Sequence, residues 1–299
     1  MRNKIHKLPK ADVHNHLHLG GSIANLKNKY PDAKILIPTI YDGLDGMIDF
    51  IYGELNNVMT TSEDVIFFME NAIESSIEDN VSLLEASVDI GLARFFKGSI
   101  DEVIDIVSEL KDRYKSKINF QPDIGINKDL PIEKVYSDGQ RCISSGVFSG
   151  LDIYGKEDNQ NLEVFQKLFN SARENNLKTK VHIGEFSDAL SIENTIELLK
   201  PNEIQHGIRA VDSVKTMDMI LENDIRLNVC PQSNLSLGSA ENVTNHPIRR
   251  LFDYGIKLTV NTDDLLLFDA TVTDQFVHLL EKKIFSFEEI DSIRKNGFL

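Results

Sequence analysis

Short runs rich in β-branched residues recur along this chain, separated by longer stretches of helical period. That alternation narrows the fold more than any other feature. The runs are Ala11–His14, Leu83–Asp89, Ile118–Ile124, Val147–Ile153, Thr179–Ile183, Ile204–His206, Ile225–Cys230 and Lys257–Asn261. Between them, Asp101–Lys115, Glu163–Asn176, Ser191–Leu199 and Ser213–Asn223 carry the apolar spacing of amphipathic helices. Asn175-Asn176 and Asn223 supply stop signals. Strands alternating with helices imply parallel pairing through helical crossovers. Eight such strands close a (β/α)8 TIM barrel. An open doubly wound sheet would show a Gly-rich phosphate loop after its first strand, and Gly20-Gly21 matches one poorly. The expectation is an α/β TIM barrel forming one domain over residues 1–299. The first interval is roughly twice the later ones, and it holds Pro31, Pro38 and the turn-rich Tyr41–Gly46. Residues from about Gly20 to Thr60 therefore read as a helical and loop insertion over the C-terminal face, placed to act as a lid.

Composition excludes several classes of function. With 47 acidic and 32 basic residues the formal charge is −15, a field that disfavours nucleic acid and anionic membranes. A hydrophobic share of 41% is enough for a large core without disulfides. Cys142 and Cys230 are far apart and form no CxxC pair, which fits a reducing, cytoplasmic setting. The N-terminal MRNKIHKLPK has no apolar core of a signal peptide, and no run has the length of a membrane span. No feature of the sequence speaks to oligomeric state.

The polar residues at the predicted strand ends carry the chemistry. DVHNHLHLGG, Asp12 to Gly21, places His14, His16 and His18 at alternating positions, which share one face if the strand continues. On that stretch alone, a metal-binding face and a partly solvated strand end fit equally well. Later ends read HIGE (His182–Glu185), QHG (Gln205–Gly207), CPQSN (Cys230–Asn234) and NTDD (Asn261–Asp264). In a barrel these ends converge on one face, so the balance moves to a metal site. Three imidazoles and a carboxylate suit Zn²⁺, with Fe²⁺ or Mn²⁺ as alternatives. A metal lowers the pKa of bound water from about 15.7 to about 7, roughly 12 kcal/mol in favour of hydroxide. Glu185, three residues from His182, is placed to shuttle a proton.

Taken in order, these motifs resemble the adenosine deaminase branch of the metal-dependent amidohydrolase barrels. LPKADVHNHL resembles the opening HxH segment, GLDIYGKE (Gly150–Glu157) the GxDLAGxE segment, and HIGE and IQHG the HAGE and IGHG segments. NVCPQSN and HPIRRLFDYGIKLTVNTDD follow the last two. The resemblance implies His14, His16, His182 and Asp263 as metal ligands, Asp263 also belonging to the catalytic set. It implies that Glu185 protonates the purine N1 as hydroxide attacks C6, while His206 orients the water and stabilises developing charge. Asp264 would bond N7, and the Gly155 N–H would contact N3.

Aligned from the Gly20-Gly21 side, the ligands would instead be His16 and His18. In the preferred register His18 replaces the family's Asp for the ribose 5′-hydroxyl, and a protonated His18 would suit a phosphate. Other departures are Tyr154 for Ala, Glu203 for Arg, and Leu265 for Pro. Ser233-Asn234 read as holding the strand-end turn rather than touching substrate, and Cys230 as a small buried packing residue.

The implied reaction is hydrolytic deamination of an adenine-type purine, foremost adenosine or 2′-deoxyadenosine, to inosine or 2′-deoxyinosine and ammonia. Adenine, a 5′-modified adenosine and an adenine nucleotide are alternatives within that chemistry. An amide or lactone hydrolase is a further alternative, for which Lys180 would have to carry a bridging carbamate. The HxE and PCxxC signature of nucleic-acid deaminases is absent. A purine-binding protein on a decayed barrel is disfavoured, because no implied ligand or acid is missing.

Overall fold

The structure, a computed structural model, describes residues 1–157 and 161–299. Eight parallel strands run in sequence order: β1 (Lys10–Asp12), β2 (Val81–Asp89), β3 (Asn119–Asn127), β4 (Gly150–Tyr154), β5 (Lys178–Ile183), β6 (Glu203–His206), β7 (Arg226–Val229) and β8 (Leu258–Val260). Just beyond the strands, β8 meets β1. Asp263 N donates to His14 O at 2.9 Å, and Val13 N to Asn261 Oδ1 at 2.9 Å. These bonds draw the sheet into the expected TIM barrel.

The helical segments pack outside, and their apolar spacing is the reason. Ile100–Tyr114 buries Val103, Ile104, Val107 and Leu110 while its charged face stays outward. Thr61 and Asp64 form a capping box that starts Ser62–Glu78. No helix among the described residues is long and apolar enough to cross a membrane.

Period-two alternation layers the barrel interior. Lys180, on the inner face of β5, lies in the floor with Nζ 2.6 Å from Glu85 and 2.7 Å from Asp123. Arg226 Nη2 meets Glu203 at 2.7 Å in the same layer. Lys180 is thus an ion-paired floor residue, its charged form favoured by these carboxylates despite burial, and it does not bridge metals. One layer up, Ser87 Oγ donates to Asp152 and His182 faces the same carboxylate.

The stretch after β1 holds helices Ile23–Lys29 and Gly43–Gly53. Tyr41 N donates to Ser236 O at 2.8 Å, and Asp45 pairs with Lys156 at 2.7 Å, tying this segment to the strand-end loops.

Candidate active site

β1 ends at Asp12, two residues before His14, so the three histidines do not share a strand face. His16 forms an isolated bridge with Ser87, and the chain turns at 17–19. His14 and His16 converge; the turn carries His18 out of the cluster. One ligand atom from each of His14, His16, His182 and Asp263 lies within 4.8 Å of the others. Both His14 Nε2 and His16 Nε2 are 3.5 Å from Asp263 Oδ1.

The residues present fit a metal. Among the described residues, the buried Nε2 atoms of His14 and His182 have no hydrogen-bond partner, an expensive state unless an ion takes their lone pairs. Their Nδ1 atoms are held from behind, His14 by Asn228 O at 3.0 Å and His182 by Ile153 O at 3.3 Å, with Asp152 Oδ1 3.2 Å from the same nitrogen. Such partners fix the tautomer that offers Nε2 to a metal. Burial pushes His16 down to about 3, keeping it neutral and able to ligate. A second grouping, His14, His206, Cys230 and Asp263, also converges. Burial pushes the Cys230 thiol well above its ordinary value, so it is a poor source of thiolate.

Glu185 and His206 stand beside the cluster, with Glu185 Oε2 3.4 Å from His206 Nε2. Burial, then Asp263 and Glu157, raise the Glu185 carboxyl well above its usual range. Burial and His14 hold His206 well below its usual value. Both shifts favour the uncharged form of each group. Asn234 fixes both, its Nδ2 donating to Glu185 Oε1 at 2.6 Å and lying 3.3 Å from His206 Nδ1. With Nδ1 accepting, His206 presents Nε2–H to the site. Both His206 and Asp263 have φ near +60, at 61° and 60° respectively, a conformation costly for residues other than glycine.

Several supporting groups escape sequence reasoning. Ser233 Oγ donates to Asp263 Oδ2 at 2.6 Å, so Ser233 and Asn234 do more than hold a turn. Asp152 and Glu157 lie inside the Gly150–Glu157 motif, which was the available signal, yet their partners are distant in sequence. Glu157 takes the backbone N–H groups of residues 184–187.

Asp264, His18 and Gly155 line the same cavity as the cluster. Burial and the neighbouring Asp263 and Glu185 push Asp264 well up, and its Oδ1 is unpartnered among the described residues. Burial and Arg94 push His18 down to about 4, so it is neutral near pH 7, contrary to the protonated form a phosphate would want. Gly155 has φ 104°, and a Cβ there would sit 2.9 Å from Asn127 Oδ1. The turn itself demands glycine, whatever its N–H does.

Comparison with known proteins places this geometry among relatives. The family model described as adenosine deaminase matches residues 9–298. A Treponema pallidum (strain Nichols) protein, provisionally named adenosine/adenine deaminase, is 35% identical over 91% of each chain. The solved adenine deaminase from Arthrobacter aurescens superposes with TM-score 0.85 at 20% identity, covering 97% of this chain and 92% of that one. An amidohydrolase from Burkholderia ambifaria with bound Zn superposes with TM-score 0.83 at 19% identity, covering 99% and 86%. At these identities the solved structures bear on the fold.

Proposed function

This chain belongs to the adenosine deaminase family, and from that premise we propose that it hydrolytically deaminates an adenine-type purine, adenosine or 2′-deoxyadenosine foremost, releasing ammonia. The observation that carries this reading is the placement of Glu185, a buried carboxyl, beside a convergent three-histidine, one-aspartate cluster.

His14, His16, His182 and Asp263 would hold the metal, for which Zn²⁺ suits the donor set, with Fe²⁺ or Mn²⁺ as alternatives. Bound there, it supplies an activated water nucleophile at neutral pH. This chain's own residues do the rest. Glu185 holds the proton that goes to the purine N1, which makes C6 electrophilic. His206, donating from Nε2, steadies the attacking oxygen and the charge that develops on it. Purine N7 is an acceptor, so Asp264 serves it as a protonated donor. The Gly155 N–H faces N3. Glu185, left as a carboxylate, then passes the proton of the added C6 hydroxyl to the departing amino group, and collapse of the tetrahedral centre at C6 expels ammonia.

In this reading residues 1–299 are one hydrolase barrel, and the segment from about 20 to 60 is its lid. Leu44, Met47, Ile48 and Ile51 of helix Gly43–Gly53 roof the cavity, which supports exclusion of bulk water. Two unpaired, buried cysteines support a cytoplasmic setting. The test is ammonia release from adenine, adenosine, 2′-deoxyadenosine, methylthioadenosine and AMP. Metal-dependent release from one of them is expected; silence from all five, with metal bound, overturns the reading.

A further inference from the structure

A carboxyl that gives up its proton inside a protein must have the resulting charge stabilised there. In the deaminase reading, on which this inference rests, Glu185 meets that demand in every turnover. Its O–H bond breaks as the lone pair of purine N1 takes the proton, and both electrons of that bond stay on the carboxylate. The charge persists until the carboxylate takes up the proton of the added C6 hydroxyl. Glu185 is 4% exposed, so water contributes little and the protein must supply the donors.

Two side chains bring donors to one oxygen of this carboxyl. Asn234 Nδ2 donates to Oε1 at 2.6 Å, and Ser239 Oγ lies 3.1 Å from the same atom. That leaves the transferable proton to Oε2, which faces His206 Nε2 at 3.4 Å. Ser239 is buried and follows helix Pro231–Ser236. It stands five residues beyond Asn234, outside the motifs that carry the family resemblance. Its backbone is held in place, because Arg209 Nη2 donates to Ser239 O at 2.8 Å.

The Ser239 hydroxyl has one proton and two acceptors in reach. One is Glu185 Oε1; the other is Asn234 O, at 3.2 Å. Asn234 O also takes Ala240 N at 3.0 Å, so it is satisfied without the hydroxyl. While Glu185 is a neutral acid, the two acceptors compete on nearly equal terms. A carboxylate wins that competition, since a hydrogen bond to an ionised acceptor is roughly twice as strong. The bond from Ser239 to Glu185 therefore strengthens as the proton leaves. An interaction stronger in the transition state than in the ground state raises kcat and leaves KM unchanged.

We infer that Ser239 is a positioning residue of the reaction that acts through Glu185. Its hydroxyl stabilises the carboxylate left behind when N1 takes the proton, and with Asn234 it keeps that proton on Oε2 beforehand.

The test uses the full chain loaded with Zn²⁺ and whichever adenine-type purine the wild type deaminates. Ser239→Ala removes only the hydroxyl oxygen. Its kcat should fall by about 10- to 100-fold, the loss expected of one hydrogen bond to a charged group. KM should stay within about twofold of the wild type. Made in the Glu185→Gln background, where no carboxylate forms, the same substitution should change kcat by less than about twofold. A Ser239→Ala kcat equal to that of the wild type overturns the inference, and so does a loss confined to KM. An equal fold loss in the Glu185→Gln background also overturns it, since a merely structural role would act independently of the acid. Wild-type protein that deaminates no adenine-type purine removes the deaminase reading, and this inference with it, before any variant is compared.

Discussion

The Glu157 carboxylate accepts the backbone N–H of Glu185 at 3.1 Å. It also takes Gly184 N at 2.8 Å, Phe186 N at 3.2 Å and Ser187 N at 2.9 Å. Four consecutive amides gathered on one side chain leave the loop carrying the acid little freedom. Replacing one carboxylate oxygen by an NH₂ group would set donors against donors. Glu157→Gln should therefore lower kcat by about 10- to 100-fold, the cost expected of misplacing a reacting group by about 1 Å. Metal content should not change. Parallel kinetics and metal analysis check this; a variant with wild-type kcat would show that the cradle does not position the acid.

Glu185→Gln keeps the side-chain shape and removes the transferable proton. A general acid contributes about 10²- to 10⁴-fold, so kcat should fall by that much while the protein still binds metal and product. Turnover within about tenfold of the wild type would be too small a loss for a general acid and would reassign Glu185 to a structural role.

In the proposed reading Asp264 serves purine N7, which can only accept, so the group at that position must donate. Asp264→Asn retains a donor and Asp264→Ala does not. Loss of one positioned donor costs about 10²- to 10³-fold in kcat, so alanine should suffer that loss and asparagine far less. Equal losses in both variants would remove the proposed N7 contact.

His246 supports the site from behind, and its pH behaviour has a definite sign. Its Nδ1 accepts Ile248 N at 3.1 Å, so Nε2–H donates to Asn234 Oδ1 at 3.1 Å. Burial pushes its pKa down from 6.5 to about 4. Between those values the unfolded chain binds the extra proton and the folded chain does not. Stability from this group is therefore present above the unfolded pKa and lost as pH falls toward about 4, a span worth on the order of 3 kcal/mol. Denaturant unfolding of wild type and His246→Asn at several pH values isolates it, because other groups cancel in the difference. A difference independent of pH from 7 to about 4 would contradict the neutral, buried assignment.

Much of this molecule is legible in its sequence, for a physical reason. Parallel strands buried on both faces must be short apolar runs, and the helices covering them must show an apolar stripe. Hence all eight strands fall where the runs predict, within a few residues. Local period fails where the chain turns. Alternation groups His18 with His14 and His16, but β1 stops at Asp12 and the turn after His16 sends His18 to the cavity wall. Partnerships across the barrel are equally hidden. Nothing local to Asp152 predicts His182 against it, and nothing local to Lys180 predicts a floor between Glu85 and Asp123. Asn234 reads as a turn residue until the fold brings Glu185 and His206 to one amide.

In the proposed reading, one four-ligand metal site serves the deamination of an adenine-type purine. Its most direct test is to strip the protein with a chelator and follow inosine formation from adenosine as Zn²⁺ is returned. No inosine is expected from the stripped protein, then a linear rise that saturates at one ion per chain. Inosine formed without metal, or none formed with the site filled, would contradict it.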